Sequence, residues 1–360
     1  MKLDAQVNAI GPFRLCPTLL LALCTLCACG RSLAGAPPIL PTPQRVATTA
    51  PFVGDLNLAH RSLVRLANGT IYIAKGDAYP FTRTTGVLRV SKSGAVATLN
   101  FSAERVAKDS KDAVYFLSKG AIFKLSPNEA LTLYAGRPGS ETDNFVDRDA
   151  DGPGAKARFS SASDIAGDAH GNLLVQEAIP PNFRIRKLDE HGLVTSYPTM
   201  STEDGAAQDN WAKGAFAVDS SGAIYLGGRD LLRKVVFDGS EHKVEDIWGG
   251  PYEESNALKF SDVYSIAISK DDAVYFRAYA GGLMRLSKSG KIGIVPGTTS
   301  CNSDLVDGVA TDVGVCIDPG FDIGSDGAIY FVDSGNNALR RLGSDGIVTT
   351  IVHGSVPAKW

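Results

Sequence analysis

Six copies of one unit run from about Leu63 to His353, and no other feature constrains the fold of this chain as much. Each copy follows a Gly- or Asp-rich turn with a short apolar stretch. The six are Thr70-Ile71-Tyr72-Ile73, Ala113-Val114-Tyr115-Phe116, Asn172-Leu173-Leu174-Val175, Ala223-Ile224-Tyr225-Leu226, Ala273-Val274-Tyr275-Phe276 and Ala328-Ile329-Tyr330-Phe331. Tyrosine holds one position in five copies, and Leu174 takes it in the third. The aligned positions recur every 43 to 59 residues, a period typical of stacked supersecondary units.

The sixth copy reads as four strands. Phe321-Asp322-Ile323-Gly324 is short, Ser325-Asp326-Gly327 is a turn, and Ala328 to Val332 is the second strand. Asp333 to Asn337 form a loop, Ala338 to Leu342 a third strand, Ser344-Asp345-Gly346 a turn, and Ile347 to Val352 a fourth. Glycine in such turns tolerates the positive φ of tight hairpins. The second strands are apolar on consecutive residues, whereas a sheet with one wet face alternates. Both faces must therefore be covered. One sheet alone cannot do that, but six arranged in a ring can. The expected fold is all-β: a six-bladed β-propeller of four-stranded antiparallel blades. A basic residue also recurs in every third strand: Arg89, Lys124, Lys187, Lys234, Arg285 and Arg341. Its presence in all six units makes it a scaffold feature, with the stem over apolar surface and the head in water.

Units three and six resemble NHL repeats. The resemblance lies in Asp151-Gly152-Pro153-Gly154-Ala155-Lys156-Ala157-Arg158-Phe159, Asp164-Ile165-Ala166, His170-Gly171-Asn172-Leu173 and Arg184-Ile185-Arg186-Lys187-Leu188, and again in Asp333-Ser334-Gly335-Asn336 with Leu339-Arg340-Arg341-Leu342. The other units match loosely. NHL propellers commonly have six blades, which agrees with the count. None of Trp211, Trp248 and Trp360 is followed by Asp, so the dipeptide of WD40 blades is absent.

The first residues read as a targeting segment. Lys2 and Arg14 precede the apolar run Leu15 to Leu26, which is short for a membrane span. Leu26-Cys27-Ala28-Cys29-Gly30 resembles the lipobox of bacterial lipoproteins. That resemblance implies cleavage after Ala28, lipidation of Cys29, and attachment to a bacterial cell envelope, with Gly30 favouring the outer membrane. The expected organisation is a signal peptide over 1–28, a Pro-rich tether over 29–54, the propeller over 55–354 and a tail over 355–360. The tether, with Pro37, Pro38, Pro41, Pro43 and Pro51, is expected to be extended and mobile. Phe52 to Leu58 is a candidate for an added or covering edge strand; how the ring closes stays open.

The formal net charge is −3, so no basic field invites nucleic acid. The mature body keeps two cysteines, Cys301 and Cys316, which in an exported protein read as a disulfide. No cofactor is expected, and the propeller is expected to be monomeric.

In such a meander the first-to-second turns are short and uniform, while the second-to-third loops and the crossings between blades vary. From aligned Tyr (or Leu174) to aligned basic residue the gaps are 17, 9, 13, 9, 10 and 11 residues. Sites favour variable loops on rigid scaffolds. Ligand contacts are therefore expected on the crossing face, around the mouth of the central channel. The candidates are Tyr79, Phe81 and Arg83, Phe183, Arg229 and Asp230, Arg277 and Tyr279, and Asn336 and Asn337. Aromatic residues with Arg are typical of binding hot spots.

Asp147-Arg148-Asp149-Ala150-Asp151-Gly152 begins like a calcium loop, but position twelve is Arg158 where an EF-hand needs Glu. Asp-Gly recurs at Asp204-Gly205 and Asp307-Gly308, which favours a turn role. No two of His60, His170, His191, His242 and His353 occupy equivalent inner-strand positions. The inner-strand carboxylates Asp164, Asp262 and Asp322 are possible metal ligands, with capping of strands and turns the preferred role. No phosphate loop or nucleophile elbow is present. The expected function is a lipid-anchored envelope module that binds protein, peptide or glycan through its variable-loop face. The alternative is a metal-dependent propeller lyase or hydrolase with its site in the channel. Three or more carboxylates or histidines converging on one channel point would distinguish the second from the first.

Overall fold

The computed structural model describes residues 62–75, 86–139, 150–179, 182–200, 215–228, 231–249, 261–279, 282–299, 304–318 and 320–354, with the pair Gln44–Arg45. These belong to one compact unit, Leu40–Trp360. The lipobox, most of the tether, Phe52 to Leu58 and the C-terminal tail lie outside the described residues. Among those described, no helix is long and apolar enough to cross a membrane.

Six antiparallel sheets follow one another along the chain. Blade 1 is Ser62–Arg65, Ile71–Ala74, Val87–Val90 and Val96–Leu99. Blade 2 is Arg105–Lys108, Val114–Ser118, Ala121–Leu125 and Leu131–Gly136. Blade 3 is Ala162–Gly167, Leu173–Ile179, Asn182–Leu188 and Leu193–Ser196. Blade 4 is Phe216–Val218, Ile224–Gly228, Leu231–Asp238 and Glu241–Gly249. Blade 5 is Ser261–Ile268, Val274–Tyr279, Gly282–Leu286 and Ile292–Ile294. Blade 6 is Phe321–Ile323, Ile329–Asp333, Ala338–Leu342 and Ile347–His353. Their first strands touch in cyclic order, blade 6 returning to blade 1, so the sheets form a closed six-bladed β-propeller.

The core shows why the ring closes. It consists of six apolar layers, and each layer lies between two neighbouring blades. Leu63, Ile73 and Leu88 of blade 1 meet Tyr330, Val332 and Leu339 of blade 6 in one of them. The second strands Ile71–Ala74, Val114–Ser118, Ile224–Gly228 and Ile329–Asp333 are buried at every residue. Continuous apolar runs thus mark strands sandwiched on both faces.

The repeat signature is a cross-strand pair. Tyr72, Tyr115, Leu174, Tyr225, Tyr275 and Tyr330 stand directly opposite Arg89, Lys124, Lys187, Lys234, Arg285 and Arg341. Lys124, Lys234 and Arg285 sit over the facing ring at 5.2, 5.5 and 5.8 Å from its centroid. In blades 2, 4 and 5 the recurrent cation is thus a cation–π device of the scaffold.

Blades 3 and 6, opposite each other in the ring, depart from the four-stranded plan in the same way. The segment entering each blade pairs back on its fourth strand: Gly152–Pro153 on Leu193 and Val194, and Val306–Val309 on Ile347 and Val348. Gln44–Arg45 then pairs with Val306 and Asp307, so part of the expected tether is an edge strand of blade 6. The Asp-Gly pairs at Asp151-Gly152 and Asp307-Gly308 serve these added strands. Asp151 accepts hydrogen bonds from Ser196 N (2.9 Å) and Oγ (3.1 Å) and pairs with Arg186. Asp307 accepts from Thr350 N (3.0 Å) and Oγ1 (2.8 Å) and pairs with Arg340. Asp151 is therefore a partner for a buried arginine, which gives the calcium-like stretch a structural role at this residue; Asp147 and Asp149 lie outside the described residues.

Candidate binding site in the axial channel

Each blade contributes its first strand to the axis. The first-to-second turns are closed by the same backbone bond in all six, such as Asp168 N to Asn172 O and Leu66 N to Thr70 O. Counting back from that shared bond aligns the channel wall in levels. Ser62, Arg105, Asp164, Ala215, Ser265 and Gly320 share one level towards the crossing face. Val64, Ala107, Ala166, Ala217, Ala267 and Asp322 share a deeper one. All of these but Gly320 line an axial cavity of about 660 Å³ that draws on all six inner strands. That volume lies within the range of small-molecule sites.

The wall is two-sided. Blades 2, 3 and 6 place charge on it, whereas Ala215, Ala217, Val218 and Ala267 of blades 4 and 5 are small and apolar. Arg105 Nε lies 3.4 Å from Asp164 Oδ1, which also accepts Ile165 N at 2.9 Å. Asp322 Oδ2 accepts from Lys108 Nζ and Arg65 N, each at 2.8 Å, and Lys108 also donates to the Arg65 carbonyl. Ser62 Oγ donates to Val106 O at 3.0 Å and accepts Val106 N at 3.1 Å. Side chains of one blade thus satisfy the open edge of the next, the group that an inner strand would otherwise leave bare.

Asp164 is strained electrostatically. Its side chain is 18% exposed. Burial pushes its carboxyl up to about 6, against the opposing pull of Arg105 and the Ile165 N–H. The folded state therefore binds this proton more tightly than the unfolded chain, so ionisation at neutral pH works against folding. Asp164→Asn is expected to be more stable than the parent at pH 7.5 by about 1–2 kcal/mol. The advantage shrinks as pH falls below about 6 and disappears near 4. Urea titrations of both proteins across this range check it.

The opposite mouth, on the short-turn face, opens onto a cavity of about 380 Å³ bordered by Asp109, Asp168 and Asp219. These carboxylates are committed to their own turns: Asp109 accepts Lys111 N and Ala113 N, Asp168 accepts His170 N and Asn172 N, and Asp219 accepts Ser221 N and Ala223 N. His170 and His191 sit on exposed turns of this face.

Of the candidates named from sequence, Tyr79, Phe81, Arg83, Arg229 and Asp230 lie outside the described residues. Phe183 is 2% exposed and packs between blades 3 and 4. Asn336 and Asn337 are also buried. Asn336 donates from N and Nδ2 to Asp333, and Asn337 takes a left-handed φ of 47° that closes the 3₁₀ turn. Arg277 is stapled to backbone: Nε donates to Ile317 O (2.9 Å) and Nη1 to Gly282 O (3.0 Å). Tyr279 pairs with Ser261 at the end of its strand. Cys316 is disulfide-bonded, while Cys301 lies outside the described residues. Among the proposed metal ligands, Asp164 and Asp322 line the channel at different levels, while Asp262 is exposed at φ 42°. Among the described residues, no three His, Cys, Asp or Glu side chains converge as a metal site would need. Arg105 was not distinguished by sequence, because only its partner across the blade boundary gives it meaning.

No protein-family model matches the chain, and no curated protein matches it in sequence. Solved structures do resemble it. An auxiliary nutrient binding protein from Bacteroides thetaiotaomicron is 10% identical over 81% of this chain and 69% of its own, with a TM-score of 0.54. Virginiamycin B lyase from Staphylococcus aureus is 14% identical over 82% and 84%, TM-score 0.47. A gluconolactonase from Xanthomonas campestris is 12% identical over 86% and 95%, TM-score 0.49. Identities this low speak to the fold alone, and the fold is a β-propeller.

Proposed function

We propose that this chain is a binding module of a bacterial envelope, lipid-anchored through Cys29, whose propeller admits a ligand to its axial channel from the crossing face. The observation that carries the reading is the two-sided wall of the 660 Å³ cavity: ion pairs on one side, alanines on the other. Apolar pockets with a few placed polar groups are the usual form of a ligand site. Tyr79, Phe81, Arg83, Arg229 and Asp230, in the variable loops, are assigned to the rim that a larger partner would touch. The NHL kinship, the outer-membrane address and the Cys301–Cys316 bond belong to the same reading.

The lyase or hydrolase alternative receives less support from the wall itself. Asp164 and Asp322 are each engaged by a cation of blade 2 and stand at different levels. Their arrangement suits hydrogen bonding to a guest.

The test is to plug the channel. Ala217 lines it from blade 4 and is 8% exposed. Protein purified from envelope extracts should release a bound small molecule on denaturation, detectable by mass spectrometry, and Ala217→Phe of unchanged circular dichroism should release at least tenfold less. Equal release from both would remove the channel as the site.

A further inference from the structure

We propose that the channel takes a neutral saccharide, with Arg105 and Asp164 as the pair that hydrogen-bonds its hydroxyls. This rests on the channel reading above and adds the ligand class.

Three observations carry it. First, four of the five charges on the wall form pairs. Arg105 faces Asp164 and Lys108 faces Asp322, while the fifth, Asp318, accepts Ser334 N, so the wall offers no net attraction to an anion and little to a cation. Recognition must then come from hydrogen bonds.

Second, the upper pair is incomplete while the lower one is saturated. Asp322 Oδ2 takes Lys108 Nζ and Arg65 N, and Oδ1 takes Ile323 N. At Asp164 both contacts fall on Oδ1. Arg105 spends Nε on Asp164 and Nη1 on the Glu104 carbonyl at 3.1 Å. Asp164 Oδ2 and Arg105 Nη2 have no further partner among the described residues, which leaves one acceptor and one donor side by side. Vicinal hydroxyls, each both donor and acceptor, fit such a pair, and each bond to a charged group is stronger than one between neutral groups.

Third, on blades 4 and 5 the wall is largely apolar, with Ala215, Ala217 and Ala267 joined by the Tyr264 ring. A pyranose has the same division: hydroxyls on its edge and C–H groups on its faces. A peptide fits less well. Extended peptides bind by adding to an open strand edge. Here the channel edges of blades 1 and 2 are occupied, at Val106 by Ser62 and at Arg65 by Asp322 and Lys108.

The experiment is isothermal titration of the full folded chain with neutral hexose and N-acetylhexosamine mono- to trisaccharides, their uronic acid counterparts, and neutral tripeptides. At least one neutral saccharide should bind. Arg105→Gln and Asp164→Asn should each weaken it tenfold or more, and Ala166→Leu, which narrows the cavity and leaves both polar groups in place, should do the same. Asp164→Asn should combine this loss with the gain in stability at pH 7.5 expected above, a combination that misfolding cannot produce. Binding of a tripeptide but no saccharide, lost in Arg105→Gln, would overturn the sugar and leave the channel reading standing. Uronic acids binding tenfold tighter than their neutral counterparts would also overturn it. Saccharide binding untouched by all three variants would overturn both readings.

Discussion

Arg340→Met is expected to destabilise the propeller by about 3–5 kcal/mol at pH 7. Arg340 and Asp333 are each 1% exposed and paired at 3.0 Å. Arg340 also holds the Val306 carbonyl and Asp307, which attach the fifth strand of blade 6. Burial already pushes the Asp333 carboxyl above the usual range, opposed by hydrogen bonds from Asn336 and Arg340. Without Arg340 the buried carboxylate keeps the hydrogen bonds from Asn336 but loses its ion pair. Its pKa rises further, so the deficit is full at neutral pH and shrinks as acid protonates the group. A domain of this size should lose roughly 6–15 °C in Tm. Replacing both residues, Arg340→Met with Asp333→Leu, should recover much of the loss, because an apolar pair leaves no stranded charge. Calorimetry at pH 5 and 7 on the single and double variants measures all three effects. A single variant within about 1 kcal/mol of the parent at pH 7 would contradict the assignment.

Phe116→Ala is expected to lose about 3–5 kcal/mol. Phe116 is 0% exposed and follows the aligned Tyr115, with edge contacts to Tyr72 at 6.2 Å and Phe101 at 5.9 Å between centroids. Its counterparts Ile73, Val175, Leu226, Phe276 and Phe331 are at most 1% exposed. The cavity would open in the layer between blades 1 and 2. Since each layer is shared by two blades, the loss should appear in one cooperative transition, with the urea midpoint lowered and the slope unchanged. A separate early transition for one blade would show that the layers act independently.

The architecture was readable because its signature is local. Tyr115 and Lys124 face each other across one hairpin, nine residues apart, and a Tyr–cation pair repeats in five of the six units, with Leu174 opposite Lys187 in the third. Continuous apolar runs at Ile71–Ala74 and Ile329–Asp333 reported burial on both faces without any tertiary knowledge. The site was harder to read, because its pairs join different blades: Arg105 to Asp164, and Lys108 to Asp322 across the point of closure. No spacing rule links such positions. Loop chemistry misled for a related reason. Phe183, Asn336 and Asn337 look like surface groups in a loop, yet all three are buried, and Asn336 bonds to Asp333 of its own blade. The buried Arg186 and Arg340 were hidden beside the repeat cations Lys187 and Arg341. The clue available was that Asp-Gly and a doubled basic residue occur together in units three and six, although unit four shares it with Asp204-Gly205 and Arg233-Lys234.

Closure also dictates an order of events during synthesis. Blade 6 emerges last, and until Phe321–His353 is made, blades 1 and 5 each present an oily face with nothing against it. A chain stopped short of those residues would lose two of six layers at once, along with Ile347 and Val348, on which the strand that carries Gln44–Arg45 pairs. The final blade thus works as a keystone: the arch bears its load only when the last piece drops in, and a nascent chain must be shielded until then.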